Sequence, residues 1–209
     1  MEDKTNVLKL QQSQSKEVAK SDNPYTQLGN ALSNRLFKLP LLKFIKGDYF
    51  AGQEARPIAI GTTMAVYMDT LSFGWVEWQA SKPVDHLIGL VNEGFQPKRR
   101  AELGKLDKTQ WEVDDNGEPR DPYVFTFYVG MRDTKSGEQF VFTTYSKGGR
   151  DAIGLLSKEY GEHMLLKPDE DPVVELGVDS YQHPIKSRGR IKIPVLPIKK
   201  WVPKEKLDI

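Results

Sequence analysis

The sequence predicts a mainly β domain with one or two helices, and three observations carry that prediction. Aromatic and β-branched residues alternate over two neighbouring runs, Tyr123–Met131 and Gln139–Tyr145, with the period of two expected of half-buried strands. A Gly-rich turn, Ser146-Lys147-Gly148-Gly149, then leads into Arg150–His163, where Ile153, Leu155, Leu156 and Tyr160 form an apolar stripe and Gly161 closes a helix. Strand character returns at Val173–Val178 and Arg190–Lys199, either side of the polar segment Asp179–Arg188. Strand, helix, then hairpin is the second half of an OB-like five-stranded Greek-key barrel, in which one helix lies between the third and fourth strands. The expected organisation is a flexible N-terminal arm over residues 1–39, a barrel over 40–201 interrupted by an insertion at 95–121, and a short tail at 202–209.

Composition bounds the function. With 209 residues the chain suits one domain with insertions, and 38% hydrophobic residues suffice for a core. No apolar run reaches the ~20 residues needed for a membrane helix, and Met1-Glu2-Asp3-Lys4 opens no apolar signal region. The sequence has no cysteine, which excludes disulfides and thiolate catalysis and fits a reducing, cytoplasmic setting. Net charge is +1, so affinity for a polyanion must come from local segregation of charge. Such segregation exists: residues 107–121 are acidic, whereas Lys186, Arg188, Arg190, Lys192, Lys199, Lys200, Lys204 and Lys206 face Glu205 alone over 186–206. A basic strand pair on a neutral body is an anion surface, or an edge strand protected by lysines against aggregation.

Taken in order, the arm is polar, and Leu28, Leu32, Leu36 and Leu39 recur at helical spacing near its end. That stripe suits a docking helix or a loosely attached terminal one. Leu41–Phe50 is apolar and aromatic, and Ile58–Asp69 is rich in strand formers, with Met64, Val66 and Met68 on one face and Gly61 marking a bend. Phe73–Gln79 places Phe73, Trp75 and Glu77 on one face and Val76 and Trp78 on the other. The two tryptophans therefore cannot share a core, and each is a candidate to stack on a base. Val84–Val91 returns as a strand. Phe95–Asp121 reads as the insertion, pinned by Trp111 and turning at Asp114-Asp115-Asn116-Gly117; its Lys98-Arg99-Arg100 run suits phosphates or solvent. Tyr123–Met131, Asp133-Thr134-Lys135-Ser136-Gly137 and Gln139–Tyr145 form an aromatic hairpin, in which Tyr128 and Tyr145 are the rings best suited to exposure.

The Ser146–Arg150 turn lacks the spacing of a nucleotide-binding P-loop, which leaves a backbone-phosphate contact or a tight turn. His86, His163 and His183 have no metal-site spacing, and no calcium-loop pattern is met. Glu54, Asp69, Glu77, Asp133 and Asp151 are scattered, so neither an enzyme nor a cofactor is expected.

Leu41–Tyr49, Phe142–Arg150, Ser180-Tyr181-Gln182-His183, Gly189–Pro194 and Trp201 together resemble an uncharacterised family of phage and prophage proteins. The layout is also similar to that of phage single-stranded DNA-binding proteins with OB folds. The resemblance implies a non-sequence-specific single-stranded DNA-binding protein of phage DNA replication or recombination, working in the host cytoplasm. Lys147, Arg150, Arg188, Arg190 and Lys192 would then neutralise phosphates, and Trp75, Trp78, Tyr128, Tyr145 and Tyr181 would stack on bases. The expected partners are single-stranded DNA or RNA, replication or recombination proteins and further copies of the chain, with no membrane. The alternative is a virion or assembly protein that uses the barrel for subunit contacts.

Overall fold

Seventeen consecutive residues, Thr63–Gln79, form one strand that the rest of the sheet is built on. The computed structural model describes residues 38–114, 117–185, 187 and 189–205, so most of the N-terminal arm and the Leu28/Leu32/Leu36 stripe lie outside the described residues. In chain order the strands are β1 (Leu41–Ile45), β2 (Asp48–Ala51), β3 (Arg56–Ile58), β4 (Thr63–Gln79), β5 (Lys82–Leu90), β6 (Glu112–Val113), β7 (Pro119–Arg120), β8 (Tyr123–Asp133) and β9 (Gln139–Thr144). Helix α1 (Lys147–Met164) follows, and then β10 (Glu170–Glu175), β11 (Gly177–Gln182), β12 (Arg190–Val195) and β13 (Ile198–Pro203).

The protein is mainly β. Nine strands join in one curled sheet of order β13-β10-β4-β8-β9-β1-β2-β3, with β5 also on β4; β11-β12 and β6-β7 are separate two-stranded ribbons. Strand β4 is long enough to serve two neighbours on one edge. Its start pairs with β10 through Thr63–Ala65, and its end pairs with β5 through Ser72–Gln79, while β8 runs along its other edge. All three pairings are antiparallel; β9 pairs with β1 in parallel.

The register of β4 on β8 breaks between Tyr67 and Ser72. An extra residue at such a bulge exchanges the faces of every residue that follows. Val66 lies opposite Met131, Phe73 opposite Phe127 and Trp75 opposite Phe125, so the inward set passes from Met64, Val66 and Met68 to Leu71, Phe73 and Trp75. The main core lies inside the first part: Leu42, Met64, Val66, Val129, Met131, Phe140 and Phe142 meet Ile153, Leu156 and Tyr160 of α1 and Val174 and Leu176 from the other edge. Beyond the bulge, the sheet is flanked by α1 and by the 95–111 segment, with Phe95 set against Phe73 and Lys98 against Trp75.

Several boundaries differ from the sequence reading. Ile58–Asp69 is not one strand: a turn at Ala59–Thr62 separates β3 from β4, because Thr62 closes on Ala59 through both its amide and its hydroxyl. The run expected as a fourth strand, Val173–Val178, is divided at Leu176, whose amide donates to Thr62 O, so its two halves join different partners. Asp179–Gln182 is strand rather than loop, paired with β12. Trp201 lies within β13, opposite Pro172 of β10, and its indole stacks on His163 at 3.6 Å. The insertion forms two short 3-10 turns and the β6-β7 ribbon.

Candidate functional site

Two adjacent glycines set the geometry of the basic end. Ser146 caps α1 by accepting the Gly149 N–H at 3.1 Å, and the helix begins at Lys147, so Gly148 and Gly149 are its first turn rather than a preceding loop. A Cβ on Gly149 would fall 1.8 Å from Thr144 Oγ1, and one on Gly148 would fall 2.4 Å from Ile193 Cγ2. The pair is glycine because the helix N-terminus is pressed between the end of β9 and the β11-β12 ribbon. That contact brings together residues some forty positions apart. Lys147 is close enough to the Tyr181 phenol to be influenced by it, although its ammonium is held at 2.7 Å by Asp151. Tyr145, 66% exposed, immediately precedes the cap, and Tyr181 is 42% exposed on the ribbon.

On the ribbon, Arg190 lies opposite Gln182 and Lys192 opposite Ser180, both exposed and on the face away from Ile193 and Tyr181. The Lys192 stem crosses the tight β1-β2 turn, where Gly47 at φ +107° would place a Cβ 2.1 Å from Lys192 Cδ. Among the described residues, Arg150, Arg190 and Lys192 make no ion pair. Arg188 lies outside the described residues. Tyr145, Lys147, Arg150 and Tyr181 thus gather at the α1 N-terminus, while Arg190 and Lys192 lie on the other face of the ribbon, Lys192 beside the β1-β2 turn.

The remaining candidates are elsewhere. Trp75 sits on the inward face beyond the bulge, half-buried, with its ring edge-on to Phe125 at 4.9 Å and its Nε1–H donated to Lys98 O at 2.8 Å. It belongs to a continuous set of half-buried rings: Phe73 lies 5.7 Å from Phe127 and 5.8 Å from Phe95, and Phe125 lies 5.5 Å from Phe127. Trp78 and Tyr128 are on the opposite, convex face, in a cluster with Val76, Val141, Leu39, Leu41 and Ile88. The expected exposure of Tyr128 is corrected: it is 7% exposed, and burial pushes its phenol up to about 12. A residue so placed cannot present its face to a base.

Sequence reasoning missed Phe73, Phe95 and Phe127 as surface rings. Phe73 and Phe127 alternate as core residues do, and nothing in the sequence marks where α1 ends its cover. Phe95 follows Gly94 in the insertion and lies over Gly89, where a Cβ would meet its ring at 2.4 Å. These rings and Ile153 line a groove of about 210 Å3 between α1 and the far half of β4 and β8, with Arg150 at its rim. Arg150 therefore belongs to both places: it lines the aromatic groove and sits one helical turn from Lys147.

Charges in the insertion are largely engaged. Arg100 donates to Asp121 and to the Gly104 and Lys105 carbonyls, and Arg99 pairs with Glu102; only Lys98 of the Lys98-Arg99-Arg100 run has no ion pair among the described residues. Lys105 and the Tyr123 hydroxyl hold the Glu77 carboxyl below its ordinary range. A second perturbed carboxyl lies far away on β10: Asp171 is 5% exposed, and burial raises it to about 6, with Lys204 working against that rise. His163 Nε2 meets Glu170 at 2.8 Å, and His183 Nδ1 accepts the Ile185 N–H at 3.0 Å. Among the described residues no group of His, Asp and Glu is placed to hold a metal, and no helix is long and apolar enough to cross a membrane.

Compared with known protein families, curated proteins and solved structures, the chain matches none.

Proposed function

We propose that the protein binds single-stranded DNA without sequence preference, in the replication or recombination of a phage or prophage genome. The observation that carries the reading is Arg150, an exposed guanidinium shared by a basic end and a floor of half-buried aromatic rings. Non-specific single-strand binding needs those two ingredients side by side: cations that follow the backbone and rings on which bases stack. Lys147, Arg150, Arg190 and Lys192 supply the first, with Arg188 added from the sequence; Tyr145, Tyr181 and Trp75 supply the second.

The connectivity supports an OB-type barrel as the scaffold. A long, bulged strand pairs with two different partners, β8 and β10, and a single helix lies between the strands that would be third and fourth, β9 and β10. In this reading β1, in parallel with β9, takes the closing position, and the β11-β12 ribbon extends the binding face.

The test is a fluorescence titration of the full chain with an unlabelled oligonucleotide at rising salt. Each neutralised phosphate on a single strand contributes about −0.7 to the slope of log K against log salt, so the four described cations predict a slope of roughly −3. An affinity indifferent to salt, or no binding at low salt, would count against the reading.

One observation favours the second reading, a structural or assembly protein. Leu155, Leu165 and Leu166 on and just after α1 are 60%, 82% and 86% exposed, on a helix whose other side is buried. A subunit contact would cover them. Salt-independent oligomers in sedimentation, lost in Leu165→Ser with Leu166→Ser, would support that role.

A further inference from the structure

We infer that the groove between α1 and the far half of the sheet takes a single nucleobase of the bound strand, stacked on Phe95 and edge-on to Phe73, with Arg150 holding the adjoining phosphate. The inference rests on the single-strand reading above and gives it a specific pocket.

Three features of the groove favour this occupant. Its size is one: at about 210 Å3 it is smaller than the roughly 300–1,000 Å3 of sites for drug-sized ligands, and so suits one ring system rather than a whole nucleotide cofactor. Its walls are another. Phe73 and Phe127 lie nearly parallel at 15°, while Phe95 stands edge-on to Phe73 at 83°, an arrangement that offers ring faces and edges to an incoming flat group. The third is polar chemistry in an otherwise apolar lining. Arg150 reaches it from the first turn of α1 without an ion pair, and the Gln96 amide and Ser157 hydroxyl supply donors and acceptors for the edge of a base. A purely apolar partner would leave these three unused, whereas a base with its phosphate engages all of them. Continuity adds to this: Lys147, one turn before Arg150, lies near Tyr181, so a strand leaving the groove meets a second cation and an exposed ring.

Phe95 is the side chain to change, because it comes from the insertion, outside the nine-stranded sheet. The experiment measures anisotropy of a labelled twenty-residue oligothymidylate and of an abasic oligonucleotide of equal length, at low salt, with the full-length chain. Wild type, Phe95→Ala and Phe95→Leu are compared, each checked for an unchanged far-UV spectrum; the leucine variant keeps apolar volume and removes the ring. Expected is tighter binding of oligothymidylate than of the abasic strand by wild type. Both variants should lose about fivefold or more on oligothymidylate and nothing on the abasic strand. Wild-type binding of both strands alike, with silent variants, overturns the groove assignment and leaves backbone binding standing. Binding of neither strand overturns both. A wild-type dimer that Phe95→Ala dissociates, without strand binding, would instead make the groove a contact between copies.

Discussion

Trp75 and Trp78 stand three residues apart on one strand and end in opposite surroundings. Trp75 looks inward beyond the bulge, its Nε1–H taken by Lys98 O and its ring edge-on to the half-buried Phe125. Trp78 belongs to the convex cluster with Val76 and Tyr128, and its buried Nε1 has no hydrogen-bond partner among the described residues. The sheet is the same on both sides; what differs is what lies over it. On the convex side residues around Leu39 and Leu41 cover Val76 and Tyr128 while Trp78 also lines a cavity of about 230 Å3 with Lys105 and Trp111, whereas the inward side passes from a sealed core under α1 to an open aromatic floor. The part of a core that its helix fails to reach is where a binding surface can be made from residues that otherwise pattern as interior.

The comparison predicts unequal responses. The largest belongs to the convex side: Tyr128→Ala should destabilise the fold by about 3–5 kcal/mol in a denaturant titration, since it empties a closed cluster. Trp75→Ala should cost distinctly less, because its ring is half-exposed; equal costs would mean that the inward floor is as sealed as the convex one.

Next comes a pH effect away from both faces. Asp171 is held at about 6, above its ordinary 3.8, so the folded protein binds a proton that the unfolded chain releases between those values. Stability contributed by this group therefore rises as pH falls from above 6 towards 4 and is lost as pH rises through 6, with a span on the order of 3 kcal/mol. The depressed carboxyls, Glu77, Asp133 and Glu170 among them, act in the opposite sense and mainly below their ordinary range. Asp171→Asn should flatten the difference in unfolding midpoint between pH 6.5 and 4.5, without altering strand binding.

Smaller in free energy but more telling for function, Arg150→Ala should reduce the salt slope of binding by about 0.7 and weaken affinity for any strand alike. The smallest effect is expected at Lys147–Asp151, an exposed pair at 2.7 Å. Asp151→Asn should leave the unfolding midpoint within error, since such pairs contribute little, and should strengthen binding slightly by releasing Lys147.

Much of the secondary structure could be read from alternation alone. Met64, Val66 and Met68 share the core face, Gly137 takes φ +76° in the β8-β9 turn, and the stripe of Ile153, Leu156 and Tyr160 is buried. Leu155 fits that stripe by spacing but is 60% exposed, because it falls off the face that α1 turns inward. Tyr128 was misplaced for a related reason: a phenol tolerates water, but its position opposite Ser72 fixes it on a face that other residues close. The pairing of the start of β4 with β10 was not legible, since register between strands a hundred residues apart leaves no local mark, whereas its pairing with β5 is a local hairpin. The meeting of Lys147 and Tyr181 depends on Gly148 packing against Ile193, a contact visible only once the helix is docked.

The most direct test of the central claim uses the two tryptophans themselves. The full chain is titrated with an unlabelled oligothymidylate at low salt while intrinsic fluorescence is followed in wild type, Trp75→Phe and Trp78→Phe. Wild type should show quenching, most of it lost in Trp75→Phe and retained in Trp78→Phe, because the inward face meets the strand. Quenching that survives in Trp75→Phe but vanishes in Trp78→Phe, or no quenching in any of the three, would contradict it.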